Sequence, residues 1–416
     1  MWVWEQESWP NLTYDSERVL PHLEKCVQQI SPLKTLAQSL AFEQRLDWES
    51  AVLLDETLAT AGIEGEQLDR ESVRSSIANK LGIGTVSRID RFTDGLVEVL
   101  LQAIRSSDKP LTDQQLKAWH QMMFPVPPII GEITVGDYRN EAMSVQSGRY
   151  GKAKIHFVAP GNTHAEVGAE VIRFLKWLNA QPATSGYIRA AIANFYFVTI
   201  HPFDDGNGRL SRIIAERCLA EFEGTDLRLY SLSHVIERKR SEYYDLLEKC
   251  QRGTGDITEW IIWFLDAVSE SGQEASQHFQ RLNKRTQFWQ KHSETIFNER
   301  QLKLLNRLFE TSDFADGISR KKYCALTRTS EPTAARDLSD LVVKNALEPV
   351  GEGRGRKYQL VLDTGNGKLL KVKAPFPETS LDQATSCLKY TEKSKSLVDM
   401  QDAIKKGVMG QFNDLD

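Results

Sequence analysis

From Tyr187 to Ile200, apolar residues recur at three- and four-residue intervals, through Ile188, Ala191, Ile192, Phe195 and Val198, which predicts a buried helix. His201 precedes Pro202 and is biased out of the helical region, so that helix should stop there and turn the imidazole out of its end. Periodicity restarts with Leu210, Ile213, Ile214 and Cys218, placing Gly206 to Gly208 at the N-terminus of a second helix. Upstream, Lys154-Ile155-His156-Phe157-Val158 alternates as a short strand does. The polar run from Ser144 to Lys152 then makes a hairpin, with Gly148 and Gly151 at its turn.

The same reading divides the chain. Residues 1–88 form a helical N-terminal module, opened by Trp2, Trp4, Trp9 and Pro10, with the tryptophans expected to pack onto the core. Residues 89–268 form a mostly helical core, and 269–292 a polar connector helix carrying Phe279, Leu282 and Phe288. In 293–362, helices are expected at Leu302 to Phe309, Arg320 to Ala325 and Ser330 to Asn345, followed by short strands at Leu347 to Val350 and Arg356 to Leu360 around a Gly351–Gly355 tip. Residues 363–416 are charged and weakly periodic, with one helix near Leu397 to Ile404, and take no assigned role.

Composition adds limits. The 416 residues, 41% hydrophobic, have room for two or three domains and a substantial core. No apolar run is long enough to cross a membrane, and the N-terminus lacks a basic region followed by an apolar stretch, so a cytoplasmic protein is expected. Five scattered cysteines suit reduced thiols better than a disulfide framework. A net charge of −5 argues against a protein that coats nucleic acid generally, though not against a local basic patch.

The chemistry concentrates in His201-Pro202-Phe203-Asp204-Asp205-Gly206-Asn207-Gly208-Arg209-Leu210-Ser211-Arg212. Free N–H groups and the dipole of a helix N-terminus at Gly206 to Gly208 favour an anion. Arg209 and Arg212, three apart, share one face near it. His-Pro-Phe alone is usually a helix stop, and Asp-Gly-Asn-Gly alone a turn; the two together, with paired arginines, point to a site. A metal hydrolase would need more ligands than His201, Asp204 and Asp205, with His156 and His164 as the other nearby histidines.

This segment resembles the signature loop of the Fic family at every defined position. The resemblance implies a Fic-type helical core with a small β-hairpin flap, and transfer of AMP from ATP to a Ser, Thr or Tyr hydroxyl of a target protein, or of the chain itself. It implies His201 as general base and Asp205 as the carboxylate for Mg²⁺, with Asp204 at the free position. Gly206, Asn207, Gly208, Arg209 and Arg212 would hold the phosphates, with the Asn207 amide on the same oxygens and Phe203 only anchoring the loop. Tyr243 and Tyr244 resemble a wall of the adenine pocket, and residues 144–158 the flap that docks the target by strand addition. Many relatives carry histidine seven residues before the catalytic one, where this chain has Asn194.

Thr60-Ala61-Gly62-Ile63-Glu64-Gly65 resembles the inhibitory segment of Fic proteins. The resemblance implies an autoinhibited enzyme in which Glu64 pairs with Arg212 and withdraws the fork for the γ-phosphate. The alternative within enzymes is removal of AMP from a modified protein. From Ser293 onward, the helices and glycine-arginine hairpin resemble a winged helix, which opens a different class, a DNA-binding regulator with a nucleotide-sensing core. Thr333, Arg336, Arg354, Arg356 and Lys357 would be the DNA contacts, while Glu331, Asp337 and Asp340 on the third helix would repel phosphates. Protein docking or a homodimer is also compatible with that domain.

Overall fold

The computed structural model describes residues 1–40, 42–83, 89–125, 133–147, 154–180, 184–225, 227–310 and 317–362. The chain separates into two units, 1–294 and 295–416. The architecture is mostly helical.

In the first unit, α1 (Ser16–Ser39), α2 (Phe42–Ile63), α3 (Arg70–Leu81), α4 (Arg91–Arg105) and α5 (Asp113–Met123) precede a hairpin of β1 (Ser144–Ser147) and β2 (Lys154–Val158). Then come α6 (His164–Asn179), α7 (Gly186–Ile200), α8 (Asn207–Glu223), α9 (Leu232–Arg238), α10 (Arg240–Gln251) and α11 (Thr258–Lys291). Helix starts follow local chemistry: side-chain oxygens of Asp15, Asp69, Asp90, Thr112 and Thr163 accept from the free N–H groups of the helices that they precede.

All fifteen residues of α7 are buried, and the helix packs on α8, α6 and α11. It is hydrophobic all round because it is covered all round. The segments expected as module, core and connector lie together in this one unit. Residue 268 marks no break, since α11 runs unbroken to Lys291 and packs along α1 on both sides of that position. Gly272 allows that approach: a Cβ there would lie 2.4 Å from Ile30 Cδ1.

The N-terminal tryptophans pack inward. Trp2 meets Phe157 edge-on, Trp4 Nε1 donates to the Val158 carbonyl at 2.6 Å, and Trp9 meets Tyr196 edge-on and donates to Glu170. β1 and β2 are antiparallel, and the expected Gly148–Gly151 turn lies outside the described residues.

The second unit contains α12 (Glu299–Glu310), β3 (Ile318–Ser319), α13 (Arg320–Thr327), α14 (Glu331–Val343), β4 (Leu347–Val350) and β5 (Lys357–Leu360). The strands form an antiparallel sheet in the order β3-β5-β4; β3 was not anticipated, being two residues long. Asp337 does not face solvent: it is buried and accepts from Arg300, Tyr323 and Asn298. Asp340 is likewise engaged by Gln301 and Lys344, so these two acids serve the unit's own packing. The Arg354 side chain and the helix expected near 397–404 lie outside the described residues. Among the described residues, no helix is long and apolar enough to cross a membrane.

Candidate active site

Helix α7 ends at Ile200, and His201 takes a left-handed conformation, φ 50° and ψ 58°, rather than the extended one that a residue before proline usually adopts. Its Nδ1 lies 3.1 Å from the Val198 carbonyl. A carbonyl can only accept, so the proton sits on Nδ1 and Nε2 is left with a free lone pair. Burial holds the imidazole below its ordinary pKa of 6.5, with the Arg139 charge adding to the effect. The neutral, basic form therefore prevails near pH 7.

Two side chains to which sequence reading assigned no role brace the loop. Arg139, 1% exposed, donates to the carbonyls of His201 (2.8 Å), Glu141, Gly161 and Pro160 (each 2.6 Å). His120 stacks on Phe203 at 4.1 Å, accepts from Gly136 N at Nδ1 and donates from Nε2 to the Asp205 carbonyl. Burial lowers the His120 pKa to about 4. His120 precedes the loop by some eighty residues, so no spacing pattern tied the two together.

Asn207 turns its amide inward. Phe203 N donates to Oδ1 at 2.9 Å, and Nδ2 donates to Phe203 O at 2.7 Å, so both amide atoms close the loop on itself. The backbone N–H groups at the start of α8 remain as the donors that an anion would meet there. Gly206, at φ 80°, makes the turn, and its N–H donates to Asp205 Oδ1.

Arg212 is buried, and its guanidinium is bound to α2 and the residue after it. Nε donates to Thr60 Oγ1 at 2.8 Å, Nη2 to Thr60 O at 2.7 Å, and Nη1 to Glu64 Oε1 at 2.8 Å. Burial raises the Glu64 pKa, but the charges of Arg212, Arg209 and His201 and the Arg212 hydrogen bond outweigh it, leaving the carboxyl below its usual range. Gly208 makes room for this pair, because a Cβ there would lie 2.1 Å from Glu64 Oε1. Tyr244 OH donates to the Ile63 carbonyl at 3.2 Å.

Arg209 faces elsewhere. It is 1% exposed, lies against the Phe92 and Phe124 rings, and pairs with Glu66 and Asp205. It does not line the cavity that holds His201, Glu64, Gly208, Arg212, Tyr243 and Tyr244, whose volume is about 500 Å³. The hairpin closes one side through Val145 to Ser147, His156 and Phe157. Tyr243 is buried while Tyr244 is 37% exposed, so of the two Tyr244 presents more surface.

Asp204 accepts from Thr134 N at 2.8 Å, and His164 is bonded to Asp137, 2.9 Å away. Asn194 is buried two turns before His201, within 3.5 Å of Ser211 Oγ. Among the described residues, no group of three or more His, Cys, Asp or Glu could hold a metal. Asp205 is one half-exposed carboxylate beside the N-terminus of α8. That fits a Mg²⁺ ion whose shell is completed by phosphates and water rather than by a protein cage.

Comparison with known proteins gives the same region. Residues 110–219 match the Fic/DOC family, and residues 2–83, which include Thr60 and Glu64, match a domain of unknown function, DUF4172. The chain is 26% identical over 219 residues to Protein adenylyltransferase Fic of Drosophila ananassae, covering 51% of this chain and 39% of that protein. It is 24% identical over 215 residues to the protein of the same name in Drosophila melanogaster, covering 51% and 40%. The chain thus spans about two fifths of the length of these relatives. A Fic family protein from Desulfovibrio desulfuricans G20 shares the fold, with a TM-score of 0.50 at 18% identity, over 86% of this chain and 98% of that one.

Proposed function

Residues 110–219 form a Fic/DOC family domain, and from that premise we propose that the protein transfers AMP from ATP to a hydroxyl side chain of a protein and that Glu64 restrains it. The observation that carries this reading is one cavity in which the free Nε2 of His201, the N-terminus of α8 and the Arg212 guanidinium meet.

The parts divide the work. His201 Nε2 takes the proton from the attacking hydroxyl, a contribution of roughly a hundred- to ten-thousand-fold. The N–H groups at Gly206 to Gly208 and the Arg212 fork neutralise phosphate charge, which is the main demand of phosphoryl-type transfer. Asp205 would hold Mg²⁺, which would supply charge neutralisation to the phosphates. Tyr243 and Tyr244 would offer the adenine an aromatic wall. Arg209 acts through Asp205 and Glu66 rather than on phosphate.

Restraint follows from the same contacts. With Arg212 bound to Thr60 and Glu64, the γ-phosphate has no fork to enter. A charge-assisted hydrogen bond worth about 1.5–3 kcal/mol would cost the productive pose roughly ten- to a hundredfold. Incorporation of α-labelled ATP into protein tests the reading. Label dependent on His201 supports it, and release of AMP from a premodified protein without any incorporation would replace it with the reverse reaction.

A further inference from the structure

Tyr243 brings more to the cavity than the face of its ring. It is 1% exposed, and Tyr244, Trp260 and Trp263 enclose the ring with centroids 5.2, 5.5 and 5.6 Å away. Boxed in this way on α10, the side chain keeps its direction. Burial pushes the hydroxyl's pKa up, and the groups that act on it next are the charges of Arg212 and Glu64 and the side chains of Arg212 and Ser211. Yet it makes no hydrogen bond of ordinary geometry in this structure. A buried hydroxyl without a partner costs free energy, and such groups are uncommon enough to need an explanation.

Chemistry narrows the partner. The Ser211 hydroxyl already gives its hydrogen to the Gly208 carbonyl at 2.8 Å. Glu64 turns Oε1 to Arg212 and Oε2 towards the Tyr244 hydroxyl, 3.4 Å away. A guanidinium only donates, and its five N–H groups exceed the three bonds that Arg212 makes to Thr60 and Glu64. Tyr243 therefore offers Arg212 an acceptor fixed to α10, whereas both residues that now hold the fork lie on α2 or just past it.

The Arg212 side chain is 1% exposed, so a fork released by Glu64 cannot turn to bulk water for the bond it loses. It needs an acceptor among the groups around it. We propose that the Tyr243 hydroxyl is that acceptor, and that it aims the released Arg212 fork at the γ-phosphate of ATP. Tyr243 is thus a positioning residue, acting on the nucleotide's phosphates through Arg212. The proposal rests on the AMP-transfer reading above, in which the fork serves the γ-phosphate. The neighbouring tyrosine belongs to the opposite state, since Tyr244 OH donates to the Ile63 carbonyl and so helps to hold the restraining segment.

The experiment measures ATP and ADP binding by calorimetry, with Mg²⁺, to the full chain carrying Glu64→Gly and His201→Ala, the latter so that ATP is not consumed. The same chain with Tyr243→Phe added is measured beside it. The two nucleotides share adenine, ribose and two phosphates and differ in the γ-phosphate. Losing the hydroxyl should weaken ATP binding about three- to tenfold and leave ADP binding within about twofold. With Glu64 intact, Tyr243→Phe should not lower the urea midpoint, because the hydroxyl that it removes has no partner in the restrained state. Equal weakening of ATP and ADP would make the hydroxyl part of the adenine wall, and unchanged ATP binding would mean that Arg212 is placed without it. Either result overturns the proposal while AMP transfer stands. A lowered midpoint with Glu64 intact would make the hydroxyl a structural group and overturn the proposal too. No ATP binding before Tyr243 is changed would overturn the transfer reading along with it.

Discussion

Both carboxylate oxygens of Glu66 lie within 3.0 Å of Arg209 Nη1, two residues beyond the Glu64 that binds Arg212. The segment after α2 is thus fastened to both arginines of the loop, and the first fastening also touches Asp205. Glu66 is about one-third exposed, so the pair is worth a modest amount. Glu66→Gln, with Glu64 intact, should raise incorporation of α-labelled ATP about two- to fivefold over wild type, short of the rise given by Glu64→Gly. A rate equal to wild type would mean that Glu64 and Thr60 hold the segment unaided.

The pH dependence should follow from His201. Burial lowers its pKa, so the base is already unprotonated at neutrality and is lost as pH falls below 6.5. Glu64 is one of the groups that raise it, so its removal moves the acid limb further down. In Glu64→Gly, kcat/KM for AMP transfer should stay level from pH 7.5 to below 6.5. A limb centred at or above 6.5 would contradict His201 as a buried neutral base.

Glu64 should not act as a pH switch in the physiological range. Its folded pKa lies below 4.5, so its pairing with Arg212 is fully present above the unfolded value and is lost only as pH falls through the depressed one. Between pH 5.5 and 8, the ratio of Glu64→Gly to wild-type labelling should be flat. A ratio that collapses towards one at pH 6 would require another titrating group in the restraint.

His120 should make the first unit acid-sensitive. Its pKa is about 4 when folded against 6.5 unfolded, so the unfolded chain takes the proton first. Stability is therefore full above pH 6.5 and declines by up to ~3 kcal/mol as pH falls to 4. All nine tryptophans lie between Trp2 and Trp289, so their fluorescence during urea unfolding reports this unit. His120→Leu should lose about 1–3 kcal/mol at pH 7.5 through the Gly136 and Asp205 hydrogen bonds. It should also flatten part of the decline between pH 6.5 and 4, and an unchanged slope would contradict the assignment.

Local pattern carried the elements around the site well. Pro202 and the apolar spacing placed the end of α7, and the glycines placed the start of α8. Pairing across the chain was another matter. Glu64 with Arg212 came from a family likeness, not from spacing, since 148 residues separate them. Glu66 with Arg209 and His120 beneath Phe203 left no mark on periodicity, because each is created by separate elements meeting in space. Asn207 and Arg209 showed the converse limit. A motif fixes which side chains stand at a helix N-terminus, but Asn207 closed on the Phe203 backbone and Arg209 on a carboxylate that the motif does not contain. The run of α11 through residue 268 was missed because α1 packs along it, a partner that local sequence does not announce.

The most direct test of the account is incorporation of α-labelled ATP into protein by wild type, by Glu64→Gly, and by Glu64→Gly combined with His201→Ala, with Mg²⁺ present. The account predicts faint labelling by wild type, a rise of roughly ten- to a hundredfold in Glu64→Gly, and its loss in the double variant. Equal labelling by wild type and Glu64→Gly would contradict the restraint, and an unlabelled Glu64→Gly would contradict AMP transfer itself.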